Sequence, residues 1–176
     1  MRCIMYWREW LKTMVLALII LGILNSWVFN ISTVKGQSMQ PTLVQQERLF
    51  INKLIYKFHT PARGDIIILH DPILSASPSS KLLVKRVIAI GGDTIEIRNH
   101  RVYINQIEQQ ETYIDTDIGD EDHKPMIVPE GQYYVMGDNR HEGMSKDSRI
   151  FGTIALTQIV GRADFIIWPL SKWAFL

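Results

Sequence analysis

The sequence holds a single cysteine, Cys3, so no disulfide can form within the chain and no cysteine-based metal site can be assembled. Its histidines, His59, His70, His100, His123 and His141, stand far apart, without the close spacings that zinc ligands require. No metal or other cofactor is therefore expected. Neither sign of charge dominates: 19 Lys and Arg stand against 18 Asp and Glu, for a net charge of +1, and the two signs are interspersed. Nucleic-acid binding wants a clustered basic surface, so no nucleic-acid partner is expected either. Beyond the N-terminal region, long helical periodicity is missing as well. At 176 residues the chain can build one good core and a small excursion from it.

One further absence is local. No charged residue occurs between Lys12 and Lys35. A helix over these 22 residues would span about 33 Å, close to the hydrocarbon thickness of a bilayer. Trp7, Trp10 and Trp27 suit the two membrane interfaces. The apolar run is longer than the core of a secretory signal, and no small-x-small site follows it convincingly, so an uncleaved anchor is the favoured reading over a cleaved leader. Arg2, Arg8 and Lys12 precede the run, which puts the N-terminus in the cytoplasm by the positive-inside rule. The expected organisation is a cytoplasmic N-terminus at 1–12, a single transmembrane anchor at 13–31, and an extracytoplasmic domain at 32–176 in contact with the lipid bilayer.

The domain at 32–176 reads as mainly β. Runs rich in β-branched and aromatic residues, separated by turn signals, predict strands at 48–52, 65–70, 82–90, 94–98, 101–105, 132–136 and 159–167. The runs 94–98 and 101–105 alternate cleanly across Asn99-His100, a two-residue hairpin loop in which Asn tolerates positive φ. Short helical turns are expected near 44–46 and 156–158. Residues 71–80 read as a loop, 115–124 as a loop or mobile tip, and a small β excursion is expected at about 94–131.

Three stretches carry chemistry. In Gly36-Gln37-Ser38-Met39-Gln40-Pro41-Thr42 a serine sits between residues that stiffen the backbone. Alone, this describes an ordinary turn as well as a nucleophile, because a hydroxyl needs a nearby base to become reactive. In Val84-Lys85-Arg86-Val87-Ile88-Ala89-Ile90 two cations interrupt an apolar strand. Alternation would put Lys85 on one face with Val87 and Ala89, and Arg86 on the other with Ile88 and Ile90. A snorkelling or edge-strand lysine is one reading. The other is a lysine whose buried amine loses enough basicity to act as a general base. The polar run from Gly137 to Gly152 follows the apolar Tyr133-Tyr134-Val135-Met136. It is either a solvated loop or a hydrogen-bonded network, in which Asp147 with Arg149, and Asp138 with Arg140, could form ion pairs and Ser145 or Ser148 could position a lysine amine.

Taken in order, these motifs resemble the type I signal peptidases, the membrane-anchored serine endopeptidases that remove signal peptides from exported proteins. Ser38-Met39-Gln40-Pro41-Thr42 is similar to the nucleophile motif and Gly64-Asp65-Ile66 to the next short box. Lys85-Arg86-Val87-Ile88 with Gly92-Asp93 is similar to the lysine box, and Gly137-Asp138-Asn139-Arg140 with Ser145, Asp147-Ser148-Arg149 and Gly152 to the last. The resemblance implies a signal-peptidase-like β-fold in which Ser38 attacks the scissile carbonyl to form an acyl-enzyme and Lys85 is the general base. It implies that the Ser38 backbone N–H donates to the oxyanion, that Ser145 orients the Lys85 amine, and that Asp147, Arg149, Asp138 and Arg140 support the site. Met39 would cover Lys85 and line a groove that binds the substrate extended beside a strand and accepts small side chains, as in Ala-x-Ala sites. Signal peptides of secreted preproteins, the bilayer and proximity to the export channel are the implied partners. The short excursion and single anchor suggest a Gram-positive type.

Three positions depart from the pattern. Gly36 stands where many relatives carry Ser or Thr as a second oxyanion donor. Four residues, His141-Glu142-Gly143-Met144, separate Arg140 from Ser145 where two are common. Gly91 replaces a usual Pro before Gly92-Asp93. The competing readings are a Ser-Lys autoprotease of the SOS-repressor type, a Ser-His-Asp hydrolase using His141, and an inactive paralogue serving as an anchored binding module for exported chains. The apolar tail, including Trp173 and Phe175, is expected to touch the bilayer surface.

Overall fold

The computed structural model describes residues 2–27, 29–74 and 81–176. Helix α1 (Arg2–Trp27) opens it and ends short of the anchor boundary expected at 31. Residues Phe29–Thr33 form strand β1 instead, paired antiparallel with β2 (Arg48–Asn52) from Phe29↔Asn52 to Thr33↔Arg48. An uncharged run does not by itself separate helix from strand, and the alternation Phe29-Asn30-Ile31-Ser32 was hidden inside it. Among the described residues no helix is long and apolar enough to cross a membrane.

The rest of the chain is mainly β. A short helix, α2 (Ile55–Phe58), leads to β3 (Ile66–His70) and β4 (Leu82–Ile90). Strands β5 (Thr94–Arg98), β6 (Arg101–Ile104), β7 (Ile107–Glu108) and β8 (His123–Ile127) follow. Then come β9 (Gln132–Met136), α3 (Ser148–Phe151), β10 (Ile154–Ala155), β11 (Ile159–Trp168) and β12 (Ala174–Phe175). The main sheet runs β1-β2-β11-β3-β4-β9-β10, with β12 added on β11, and the second runs β7-β6-β5-β8. Asn99 and His100, at φ 52° and 64°, make the β5–β6 turn that twisted hairpins favour.

Two expectations on local structure change. Residues 115–124, expected as a loop or mobile tip, carry Ile118 into the core of the second sheet, and His123 begins β8. The polar composition of this run concealed one apolar anchor and an edge strand. No helix forms at 44–46, where Gln46 has φ 71°, whereas a 3-10 turn does occupy Leu156–Gln158. Of the loop expected at 71–80, residues 75–80 lie outside the described residues.

Two features of the sheet create the site. First, β3 pairs with β4 from Leu82 to Arg86, while β9 pairs with it only from Arg86 to Ile90. The stretch Leu82 to Lys85 therefore has one free strand edge, and Lys85 sits where the edge begins. The expected sharing of a face by Lys85, Val87 and Ala89 also fails at this point. A register shift against β9 between Val87 and Ala89 sends Ala89 into the cluster that holds Ile88, while Val87 packs with Val135 and Ile67. Second, the turn after β1 is pinned by Met39 and Leu43, buried among Leu49, Ile51, Ile66 and Ile68.

Leu43 is fully buried one residue beyond Thr42. Leu43→Ala is expected to cost about 2–5 kcal/mol of stability through the cavity it leaves, read as a lower urea midpoint with unchanged m-value.

Candidate active site

Ser38 lies on the turn between β1 and β2, and hydrogen bonds from both sides fix its backbone. Gln40 N–H donates to Gln37 O at 3.1 Å and Leu43 N–H to Met39 O at 2.8 Å. From across the fold, Asn139 N–H donates to Ser38 O at 3.1 Å and Asn139 Nδ2 to Gln37 O at 3.0 Å. Gly137 must be glycine here, because a Cβ would overlap Ser38 O and Ser145 Oγ. Gly36, at φ 105°, has open space where its Cβ would stand. Its positive φ suits glycine, and no side-chain hydroxyl stands at this position.

Lys85 reaches this turn from β4. Its Nζ lies 2.6 Å from Ser38 Oγ, and the residue is 1% exposed. Burial pushes its amine down to about 8. Asp147 opposes that shift, Arg149 adds to it, and Asp138 opposes it. An amine at this value is partly neutral at ordinary pH and can accept a proton, which an exposed lysine cannot.

The polar loop after β9 is a network rather than a solvated loop. Asp147 is fully buried and receives Arg149 through Nε at 2.9 Å and Nη2 at 2.7 Å. Burial pushes its carboxyl up, but hydrogen bonds and charge from Arg149, with help from Ser145 and Gly137 N–H, hold it below the usual carboxylate range. Asp138 does not pair with Arg140. It takes a two-pronged hydrogen bond from Arg86 at 2.8 and 2.6 Å and accepts from Thr42 Oγ1 at 2.5 Å. Arg140, completely buried, pairs with Glu111 at 2.7 Å through Nη1 and donates from Nε to Gly137 O at 2.8 Å. The local pair Asp147–Arg149 forms as its spacing suggested, whereas the guanidinium forks of Arg86 and Arg140 are met by carboxylates brought in from elsewhere in the chain.

Ser145 differs from the role implied for it. Its hydroxyl donates to Asp147 Oδ2 at 2.6 Å, and no hydrogen bond joins it to Lys85 among the described residues. Ser148 Oγ accepts from Val135 N–H at 2.9 Å. The stretch His141-Glu142-Gly143-Met144, which holds the two extra residues, is exposed, with its backbone at Glu142 against Gly119. His141 faces Asp115 at 3.7 Å, while the hydroxyl of Ser38 is taken by Lys85.

A groove of about 550 Å³ leads to Ser38, between the β1 side (Ile31, Thr33) and the free edge of β4 (Leu82, Val84), with Met39 and Ile68 in its lining. Another concavity, about 450 Å³, lies on the second sheet and contains no serine or cysteine in its lining. Thr42, Arg86, Asn139 and Gly137 lie inside the quoted motifs, yet their roles depend on contacts between motifs that no spacing reveals. Glu111, Tyr113 and Asp120 fall in a stretch without recognisable pattern.

Comparison with known proteins agrees on one family. The profile described as Signal peptidase, peptidase S26, matches residues 7–168. Signal peptidase IB of Staphylococcus aureus (strain MRSA252) is 33% identical over 95% of this chain and 92% of that protein. Signal peptidase I P of Bacillus subtilis subsp. natto is 37% identical over 93% of this chain and 90% of that protein. The crystal structure of a signal peptidase I from Enterococcus faecalis V583 aligns with a TM-score of 0.49 at 30% identity, over 59% of this chain and 97% of that one.

The position of the Lys85 amine gives a paired expectation. Its folded value is about 8 and its ordinary value 10.5, so between those values the unfolded chain binds more protons and stability rises with pH. Below about pH 8 the buried cation is a standing cost. Lys85→Met should therefore be more stable than wild type at pH 7, by about 1–3 kcal/mol in urea unfolding. The gap should narrow as pH rises from 8 towards 10.5.

Proposed function

The chain belongs to the signal peptidase family, peptidase S26, and is a serine peptidase that removes signal peptides; on that footing we propose that it cuts through an acyl-enzyme on Ser38 with Lys85 as the general base. The observation that carries this reading is the 2.6 Å contact between Ser38 Oγ and a lysine amine denied water.

In this mechanism the neutral Lys85 amine takes the Ser38 proton as Oγ bonds to the scissile carbonyl carbon. The carbonyl oxygen becomes an oxyanion beside the Ser38 backbone N–H. The C–N bond then breaks. Lys85 gives its proton to the departing amine, which is the new N-terminus of the mature protein. The signal peptide is left as an ester on Ser38. Lys85 next takes a proton from water, the hydroxide oxygen attacks the ester, and Ser38 Oγ recovers its proton as the signal peptide leaves with a free carboxylate. With Gly36 supplying no hydroxyl, the oxyanion relies on main-chain donors and water.

The groove suits an extended chain. One wall is a free strand edge, able to pair with a substrate main chain, and the lining beside Ser38 is apolar. Small residues at the first and third positions before the cut, as in Ala-x-Ala, fit this reading. We place residues 13–27 of α1 in the membrane as a single anchor because they carry no charge, with the N-terminus cytoplasmic because Arg2, Arg8 and Lys12 precede them. Contact of the domain with the bilayer is supported by an aromatic cluster of Phe29, Phe50, Phe165, Trp173 and Phe175 beside β1, with Trp173 55% and Phe175 73% exposed. The substrate would meet the site near the export channel, where shared confinement raises effective concentration.

Cleavage of a preprotein with an Ala-x-Ala site by detergent-solubilised protein tests this. Wild type should release a mature chain whose new N-terminus, read by mass spectrometry, follows that site. Ser38→Ala and Lys85→Ala should each lower the rate by at least about 10⁴-fold while remaining folded. His141→Ala should cleave normally; its loss of activity would move the base away from Lys85. An inert wild type would favour the anchored binding module.

A further inference from the structure

Residues 111–120 lie outside the main sheet, between β7 and β8, and belong to none of the four motifs. They nevertheless touch three arginines beside the site, Arg86 on β4 and Arg140 and Arg149 in the segment after β9. Glu111 accepts from the completely buried Arg140 and is itself 5% exposed at its side chain. The Tyr113 ring lies 4.0 Å from the Arg86 guanidinium carbon, and its hydroxyl donates to Glu111 Oε1 at 2.5 Å. Asp120 accepts from Arg149. Each arginine turns its remaining donors towards the site: Arg140 to Gly137 O, Arg86 to Asp138, Arg149 to Asp147. The strap is itself held down, with Ile118 buried, Ile118 N–H donating to His100 O at 2.9 Å, and His100 Nδ1 2.9 Å from Ile118 O.

We propose that Glu111 and Tyr113 are positioning residues for cleavage, acting through Arg140 and Arg86 on the turn that supports Ser38. The inference rests on the Ser38–Lys85 reading and adds to it. The physical argument is occupancy. Arg86 spends its donors on Asp138 and Gly64 O, and the Tyr113 ring covers one face of its guanidinium. With that face open, water competes for Arg86 and Asp138, and Asp138 is the acceptor of Thr42 on the nucleophile turn. Glu111 does the same for Arg140, whose Nε holds Gly137 O, and Gly137 is in close contact with Ser38 O and Ser145 Oγ. None of the strap residues lines the groove that leads to Ser38. Loosening the strap should therefore spread the Ser38–Lys85 separation and lower kcat, while substrate binding stays as it is.

The test uses the full chain in detergent and the Ala-x-Ala preprotein. Tyr113→Leu should lower kcat about tenfold with KM within twofold of wild type. Tyr113→Phe, which keeps a ring over Arg86, should recover most of that loss. Glu111→Gln, which keeps an acceptor for Arg140, should lie between wild type and Tyr113→Leu. Urea unfolding of each variant fixes the folded fraction under assay conditions, and kcat is expressed per folded molecule. A normal kcat in Tyr113→Leu beside an active wild type overturns the positioning role and leaves Ser38–Lys85 intact. So does a loss that Tyr113→Phe shares in full, or one that appears in KM alone. An inert wild type overturns the Ser38–Lys85 reading, and this inference with it.

Discussion

A lysine kept from water is the constraint on which the rest of the structure depends. An ammonium in an apolar strand is unfavourable, and among the described residues no carboxylate forms an ion pair with Lys85. Asp147 lies close enough to oppose the shift, but its charge is already shared with Arg149. The outcome is an amine poised between its two protonation states. A direct ion pair would have stabilised the fold and fixed the lysine as a cation, useless as a base.

The arginines around the site follow from the same constraint. Buried carboxylates are needed to shape the loop after β9, and each must be matched so that its field does not reach Lys85 unopposed. Asp147 is matched by Arg149 and Asp138 by Arg86, both with paired hydrogen bonds. No buried side-chain polar atom is left without a partner among the described residues. Such a network is sensitive to loss of any one member, because the remaining partner stays buried and unpaired. The turn carrying Ser38 is tied to this network by the main-chain N–H and side-chain amide of Asn139 and by Thr42, which donates to Asp138.

Much of this was legible in the sequence, and the rest was not, for identifiable reasons. Strands β2, β4, β5 and β9 occupy the predicted spans, because each is a run rich in β-branched, aromatic or other apolar residues, and β4, β5 and β9 are also flanked by Gly or Asn. Ser38 and Lys85 stood out because a serine between Gly36 and Pro41, and a cation inside an apolar strand, each need a reason. Strand β1 was absorbed into the uncharged run before it. Pairing partners were harder still. Asp138 and Arg140 are two residues apart, yet they point to Arg86 and Glu111, which depends on how three distant segments meet. The family resemblance carried the roles of the loop residues by position, and Ser145 shows the limit of that: the position is in the site, but its hydroxyl is turned to Asp147.

If substrates pair with the free edge of β4 as proposed, that edge has a consequence for which sequences can be processed at all. A wall that recognises backbone is indifferent to most side chains, so it gives little power to choose among exported proteins. It does impose a grammar. A residue facing the edge must present an N–H where the strand presents a carbonyl, and proline has none to present. Neighbouring positions, turned the other way, escape that rule. Discrimination of this kind works by veto, leaving a broad vocabulary of acceptable leaders, with a few forbidden words set by the parity of the strand.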